Sequence, residues 1–129
     1  MMKTEENSST TSFSIEVRGK SAHGSTPHLG EDAIVAACAM MLNLQTLISR
    51  FNNPIEPLAL SLDKVEGGKQ FNIICDKVVL TGRITAAKSA VNAMMMQKME
   101  KIAEDTASIF DCKAQVSYKE NILGGCSHV

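Results

Sequence analysis

Aromatic residues are scarce in this sequence, and tryptophan is absent. Phe and Tyr make up 4% of the 129 residues, with a single tyrosine, so stacking platforms for single-stranded nucleic acid are not expected. Neither sign of charge dominates, because the net charge is -1 at pH 7, and no run of Lys and Arg indicates a nucleic-acid surface. No apolar run approaches the roughly 20 residues of a membrane helix. We therefore expect neither nucleic acid nor membrane as a partner.

Closely spaced cysteines are also missing. The four cysteines are Cys38, Cys75, Cys112 and Cys126, and none of them forms a zinc-ribbon or thioredoxin-like motif. Reduced, mostly buried thiols are expected, while a secreted disulfide framework is the weaker alternative. The first twelve residues are polar, which is unlike a signal peptide. The sequence therefore predicts a cytoplasmic protein.

Short alternating apolar segments predict four strands, and two longer segments with helical spacing predict helices. In chain order they are a strand at 13–18, a helix at 31–51, strands at 58–63 and 78–85, a helix at 88–110 and a strand at 114–119. This order predicts an α+β fold of the split β-α-β (ferredoxin-like) type, a four-stranded antiparallel sheet with two helices on one face. The domain is predicted at 12–120, between a disordered leader at 1–11 and a flexible tail at 121–129.

The helical spacing also predicts which helix positions face the core. The predicted buried positions of the first helix are Ile34, Cys38, Met41, Leu44 and Ile48, and those of the second are Val91, Met95, Met99, Ile102, Thr106 and Ile109. Methionines at 94–96 and 99 could form an adaptable binding surface, but core filling is the favoured interpretation.

The segment SAHGSTPHLGED, residues 21–32, concentrates the titratable chemistry of the chain. His23 and His28 lie five residues apart, which is not the helical spacing of a metal-binding pair, and no further ligands complete a metal site. A serine nucleophile is not indicated either, because Ser21 and Ser25 lack a nucleophile elbow. From the residues alone, both histidines could simply be polar residues of a turn that starts a helix.

Together with its surroundings, this loop resembles the lid, or dimerisation, domain of the zinc-dependent aminoacylase/carboxypeptidase family. The shared motifs are A-H-G-S-T-P-H at 22–28, G-E-D-A at 30–33, Gly67-Gly68, and N-I-I-C at 72–75. The resemblance extends from about Phe13 to Tyr118. It is closest to the aminoacylase and hippurate-hydrolase branch, whose enzymes hydrolyse N-acyl amino acids or small peptides.

The resemblance implies a role for several residues. His23 would enter the active site of the partner subunit and stabilise the oxyanion, while Asn72 would hold the carboxylate end of the substrate. The two zinc ions and the general base would belong to a catalytic domain that this chain does not contain. The chain alone is therefore expected to be inactive and to hold no metal. It is expected to be part of a longer enzyme that forms a homodimer through a lid-domain edge strand and helix.

Two positions depart from the family pattern. Cys75 replaces a proline, and Thr85 occupies the place of the carboxylate-binding arginine. Arg83, two residues earlier on the same strand face, could substitute as a substrate-binding residue. It could equally be a solvated surface cation. The alternative function is a stand-alone small-molecule-binding or dimerisation module without catalysis.

Overall fold

The computed structural model describes residues 9–25, 27–68 and 74–122. Within these ranges the regular elements follow the order β-α-β-β-α-β. They are β1 (Ser9–Arg18), α1 (Ala33–Leu44), β2 (Leu58–Gly67), β3 (Lys77–Ala86), α2 (Ser89–Ile109) and β4 (Lys113–Ile122). A 3₁₀ turn covers Pro27–Leu29, and a π-helical turn covers Leu47–Phe51.

The four strands form one sheet in the order β2-β3-β1-β4, and every neighbouring pair is antiparallel. One face is apolar and buried: Phe13, Ile15 and Val17 alternate with exposed or half-buried polar residues along β1. Both α-helices pack on this buried face. The predicted split β-α-β fold, with two helices on one face of an antiparallel sheet, is confirmed.

The sheet extends further at both ends of the chain than the sequence predicts. β1 begins at Ser9, inside the predicted leader, and β4 continues to Ile122, inside the predicted tail. Apolar alternation did not reveal the start of β1, because the inward-facing position there is Thr11, which is fully buried and accepts a hydrogen bond from Asn92 Nδ2 at 2.8 Å. Residues 1–8 and 123–129 lie outside the described residues.

The buried face of α1 is not the predicted one. Its buried residues are Ala33, Ala36, Ala37, Met40 and Leu44, whereas Ile34 is 43% exposed and Cys38 is exposed. Only Leu44 belongs to both sets. The helix is apolar on several sides, so periodicity could not select the buried face. The alanine side is buried because small side chains let the helix approach the sheet closely.

The buried face of α2 was predicted more successfully. Met95, Met99 and Thr106 are buried as expected, although Ile109, in the last turn, is 73% exposed. The exposed side of α1 includes the apolar residues Ile34, Val35 and Leu42.

One described helical stretch, Ala33–Phe51, is long and apolar enough to cross a membrane by length and composition alone. The expectation that no stretch approaches this length was therefore wrong. Within this fold, 28% of the stretch is buried, and Met40, Leu44 and Leu47 lie in the core.

Candidate functional site

The histidine loop is closed at its base by a pair of backbone hydrogen bonds. Lys20 N–H donates to the carbonyl oxygen of Glu31, and Glu31 N–H donates to that of Lys20, both at 2.8 Å. Gly19 and Gly30 flank this bridge. A Cβ at Gly19 would overlap the Glu31 carbonyl, and one at Gly30 would lie 2.8 Å from the carbonyl oxygen of Lys20. The glycines therefore permit the two strands of the loop base to approach each other.

The segment before β3 fixes this loop to the sheet. Gly19 N–H donates to the carbonyl oxygen of Asp76 at 2.9 Å, and Ile74 N–H donates to that of Ala22 at 2.6 Å. Ala22 directly precedes His23, and Ile74 follows Asn72 by two residues in the sequence. Asn72 itself lies outside the described residues, so its predicted role remains a prediction.

Asp32 lies where the loop ends and α1 begins, and its side chain caps the helix. Its Oδ1 accepts hydrogen bonds from the backbone N–H groups of Ile34 at 3.0 Å and Val35 at 3.4 Å. These N–H groups have no partner within the helix, and a carboxylate also complements the positive end of the helix dipole. Asp32 is therefore the N-cap of α1.

The ring of His23 is exposed and contacts Ser25. Its Nδ1 accepts the backbone N–H of Ser25 at 3.1 Å, and the Ser25 hydroxyl oxygen lies 2.8 Å from the same nitrogen. Because Nδ1 accepts a backbone hydrogen, the neutral ring carries its own hydrogen on Nε2. No sequence pattern signalled that Ser25 sets the tautomer of His23.

His28 occupies a different position in the loop. It lies in the 3₁₀ turn Pro27–Leu29, and its side chain is exposed. The two loop histidines differ in their hydrogen bonds. Ser25 donates to the ring of His23, whereas His28 makes no side-chain hydrogen bond within the described part of the chain. His23 is the better-oriented of the two.

Arg83 lies far along the sheet from this loop. It pairs with Ser12 in the sheet register, while the loop begins after Arg18, six residues later. At about 3.3 Å per residue, the two places are roughly 20 Å apart. Arg83 and Thr85 face solvent on the same side of β3, as predicted from their spacing. The structure does not bring Arg83 and His23 together.

The described partner of Arg83 is an acidic residue on β2. Its Nε donates to Asp63 Oδ2 at 3.1 Å, and Ser61 Oγ donates to Asp63 Oδ1 at 2.5 Å. The hydrogen bond from Ser61, followed by that from Arg83, lowers the pKa of Asp63 below its ordinary value of 3.8. Asp63 occupies an irregularity of β2, where the register shifts between Leu62 and Lys64. Nothing in the sequence pattern signalled this bulge.

Comparison with known families and proteins gives a direct result. The model of the peptidase dimerisation domain family matches residues 6–110. The chain belongs to this family. The match covers β1 to the end of α2, including the histidine loop.

The relatives of this dimerisation domain include bacterial deacetylases. The chain is 35% identical over 106 residues to N-acetyl-L-cysteine deacetylase of Bacillus subtilis, covering 82% of this chain and 26% of the relative. It is 32% identical over 111 residues to N-acetyldiaminopimelate deacetylase of Pediococcus pentosaceus, covering 86% of this chain and 29% of the relative. The chain thus spans less than a third of these relatives, and corresponds to the dimerisation domain without the catalytic part.

A solved structure shares the fold. A dinuclear metal-binding peptidase of the M20 family from Bacillus subtilis superposes with a TM-score of 0.66 at 21% identity, covering 86% of this chain and 25% of that one. The predicted resemblance to a lid, or dimerisation, domain of metal-dependent amidohydrolases and peptidases is confirmed.

Metal ligands are not assembled in the described part of this dimerisation domain. No group of three or more His, Cys, Asp or Glu side chains there is placed to hold a metal ion. Residues 9–25, 27–68 and 74–122 therefore do not fit a zinc site of their own.

The described cysteines are free thiols in two environments. Cys75 and Cys112 are buried, whereas Cys38 is exposed on α1. Burial raises the pKa of the Cys112 thiol, with a further contribution from the carboxylates of Glu31 and Asp32. The expectation of mostly buried thiols holds for two of these three, and Cys126 lies outside the described residues.

Proposed function

We propose that this dimerisation domain is the lid of a metal-dependent amidohydrolase that hydrolyses an N-acyl amino acid or small peptide. The names of its deacetylase relatives support this substrate class, since both contain an N-acetyl group on an amino acid. In this proposal, a separate catalytic domain would hold two zinc ions, which would supply activation of the attacking water. The compartment is the cytoplasm, which the free thiols of Cys38, Cys75 and Cys112 support.

The observation that carries the proposal is the orientation of His23. With Nδ1 engaged by Ser25, the neutral ring presents Nε2–H as a donor. Such a donor can form a hydrogen bond to the amide carbonyl oxygen of a substrate, and this bond strengthens as water attacks and the oxygen becomes negative. The closed loop base at Lys20 and Glu31 holds the donor in place before the substrate arrives.

The sheet register supports the proposal that His23 serves the active site of a partner subunit. Ser9, at the start of β1, pairs with Ile122, at the end of β4. Any chain that precedes or follows the domain therefore leaves from one end of the sheet. The histidine loop lies at the other end, ten residues away along β1, or about 33 Å. This separation favours delivery of His23 to the active site of a partner subunit rather than to a catalytic domain tethered at the opposite end.

The edge of the sheet at β2 supports a homodimer. β2 pairs only with β3 in the described sheet. On its helix side, Leu58, Leu60 and Leu62 are only half-buried, in contrast to Leu80 and Ile84 on β3, which are fully buried. An open edge of this kind has unpaired backbone groups and an incompletely covered apolar face, both of which a second copy can cover.

α1 continues this open surface. Ile34 lies next to the end of β2, since a Cβ at Gly68 would be 3.9 Å from Ile34 Cδ1. We call the apolar residues along this border the edge strip, and they are exposed or half-buried: Ile34, Cys38, Met41, Ile48 and Val65. The proposed dimer interface therefore consists of the β2 edge and the edge strip.

Two further residues belong to the proposal at the substrate. Asn72 is proposed to hold the carboxylate end of the substrate. Ile74, two residues after Asn72, donates its backbone N–H to the carbonyl oxygen of Ala22, the residue before His23. Arg83 is retained as a second proposed substrate-binding residue. Arg83 also forms an ion pair with Asp63 that joins β2 to β3. Arg83→Gln should weaken substrate binding in the intact enzyme. Unchanged substrate affinity would make Arg83 a surface cation.

The test is made in the intact enzyme, whose catalytic part is found by reading the coding sequence on both sides of this domain. His23→Asn should lower turnover by about 10²- to 10³-fold, the usual effect of losing one oxyanion donor. His28→Asn is the matched control, since it changes the other exposed loop histidine, and should leave turnover nearly unchanged. Equal turnover of both variants would remove His23 from the mechanism. A coding sequence that stops at both ends would leave the stand-alone binding or dimerisation module as the function.

A further inference from the structure

A groove crosses the helical layer, and none of its lining residues belongs to the histidine loop or to β2. It lies between α2 and the end of α1 with the following π-helical turn, and its volume is about 400 Å³. Its lining residues are Asn43, Thr46, Phe51, Lys98, Lys101, Ile102, Asp105, Thr106 and Ile109. This volume is within the range of small-molecule sites.

The walls of the groove are largely apolar and open to water. Phe51 is 49% exposed, Ile109 is 73% exposed, and Ile102 is half-buried. The π-helical turn Leu47–Phe51 places Phe51 at one end, and such wide turns are frequent at functional sites. An apolar ligand body would remove these side chains from water, which is favourable in proportion to the area covered.

Two polar residues in the lining of the groove are hydrogen-bonded to each other. Asn43 Nδ2 donates to Thr106 Oγ1 at 3.0 Å, across the two helices. The buried hydroxyl of Thr106 is therefore already hydrogen-bonded, and most of the remaining lining is apolar, which suits an apolar ligand body.

One positive charge stands at the mouth of the groove. Lys101 is paired with Asp105 at 3.4 Å on the same helix, whereas Lys98 makes no ion pair among the described residues. Lys98 Nζ instead lies 4.7 Å from the centre of the Phe51 ring, a cation–π contact that holds it over the apolar wall. The lining thus carries one uncompensated positive charge beside an apolar cleft.

From this arrangement we infer that the groove is a binding site for an amphipathic monocarboxylate, an aliphatic or aryl acid with one carboxylate. Its apolar body lies against Phe51, Ile102 and Ile109, and its carboxylate pairs with Lys98. Charge complementarity selects an anion over a neutral or cationic molecule of the same shape. The inference goes beyond the proposed hydrolase function and does not depend on it.

The test uses the 129-residue chain with two probes of nearly equal size, decanoate and decanamide, below the concentrations at which they aggregate. Methyl NMR signals of Ile102 and Ile109 report on binding. Decanoate should shift both signals and bind about three- to tenfold more tightly than decanamide, the range of one partly exposed charge pair. Lys98→Met should abolish this preference but keep the weaker binding. Lys88→Met is the control, because Lys88 pairs with Glu56 outside the groove and should keep the preference.

Several outcomes would overturn the inference. Equal affinities for the two probes in the native chain would show that Lys98 selects no anion. Shifts confined to signals outside the groove would place the ligand elsewhere. Changes of the Ile102 and Ile109 signals with protein concentration alone, without a probe, would identify a second copy of the chain as the occupant.

Discussion

The backbone N–H of Ser25 donates to Nδ1 of His23 at 3.1 Å, across a turn of two residues. Among single substitutions at Ser25, only proline removes this backbone donor, so the tautomer with the hydrogen on Nε2 depends on the loop backbone rather than on the Ser25 side chain. This relationship makes the loop a support for a hydrogen-bond donor as well as a turn that leads into α1.

The tautomer of His23 should survive loss of the Ser25 hydroxyl. In Ser25→Ala the backbone donor remains, so long-range ¹H–¹⁵N spectra of the neutral ring should still show the hydrogen on Nε2. In Ser25→Pro the N–H is lost, and the Nδ1 tautomer should become populated. An Nδ1-protonated ring in the unsubstituted chain would contradict the donor geometry.

The closed loop base should not tolerate a side chain at its entrance. Gly19→Ala places a Cβ against the carbonyl of Glu31, which is backbone and cannot rotate away. We expect a loss of about 1–3 kcal/mol in the free energy of unfolding, measured by urea denaturation. Ser14→Ala on the solvent face of β1 is the control and should change stability by less than about 0.5 kcal/mol. If Gly19→Ala is as stable as the control, the backbone of Lys20 and Glu31 can move apart with little loss of free energy.

The edge strip should control dimer affinity. Val65 is 49% exposed on the helix side of β2, and Val65→Glu puts a charge into the proposed interface. Sedimentation equilibrium should show at least about a tenfold weaker dimer, corresponding to more than about 1.4 kcal/mol. Ser117→Glu adds the same charge to the solvent face of β4 and should leave the dimer intact. If Ser117→Glu dissociates the dimer and Val65→Glu does not, the interface lies at the other edge.

The single tyrosine provides a probe of the packing between α2 and β4. Tyr118 OH donates to the carbonyl oxygen of Met96 at 2.9 Å. Burial, followed by the carboxylates of Glu100 and Glu104, raises the pKa of Tyr118 above its ordinary value of 10.0. Because the folded pKa is the higher one, this contribution to stability is fully present below pH 10 and is lost as the pH rises further.

Tyrosinate absorbance should therefore appear only together with loss of helical circular dichroism in an alkaline titration. Reversible ionisation near pH 10 with unchanged helical signal would show that the phenol is solvated. Tyr118→Phe should cost about 1 kcal/mol at pH 7, the usual value of one hydrogen bond.

The fold could be predicted because apolar residues recur at alternate positions over most of each strand, except at the start of β1. The alternation failed at Thr11, where a polar side chain is buried through its bond to Asn92. It also failed on α1, because Ala36 and Ile34 are both apolar and only packing against the sheet decides which is buried. The local hydrophobic pattern predicts whether a segment is a helix or a strand, whereas tertiary packing determines which of its faces is buried.

The candidate site was predictable only in part for a related reason. His23 and Asp32 were identifiable from motif and helix-start chemistry, which are local. The bridge between Lys20 and Glu31 and the pairing of Arg83 with Asp63 join residues 11 and 20 positions apart, and such contacts leave no periodic signal. The distance between Arg83 and the loop follows from the register of β1 with β3, which no single segment encodes.

The most direct measurement of the central claim, that His23 serves the active site of the partner subunit, is made with mixed dimers of the intact enzyme. One parent carries His23→Asn, and the other has an intact His23 but an inactivated catalytic domain, so each homodimer is inactive. The account predicts that mixing restores turnover, because the intact catalytic domain of one subunit then receives His23 from the other. Mixed dimers that form and stay inactive would contradict it.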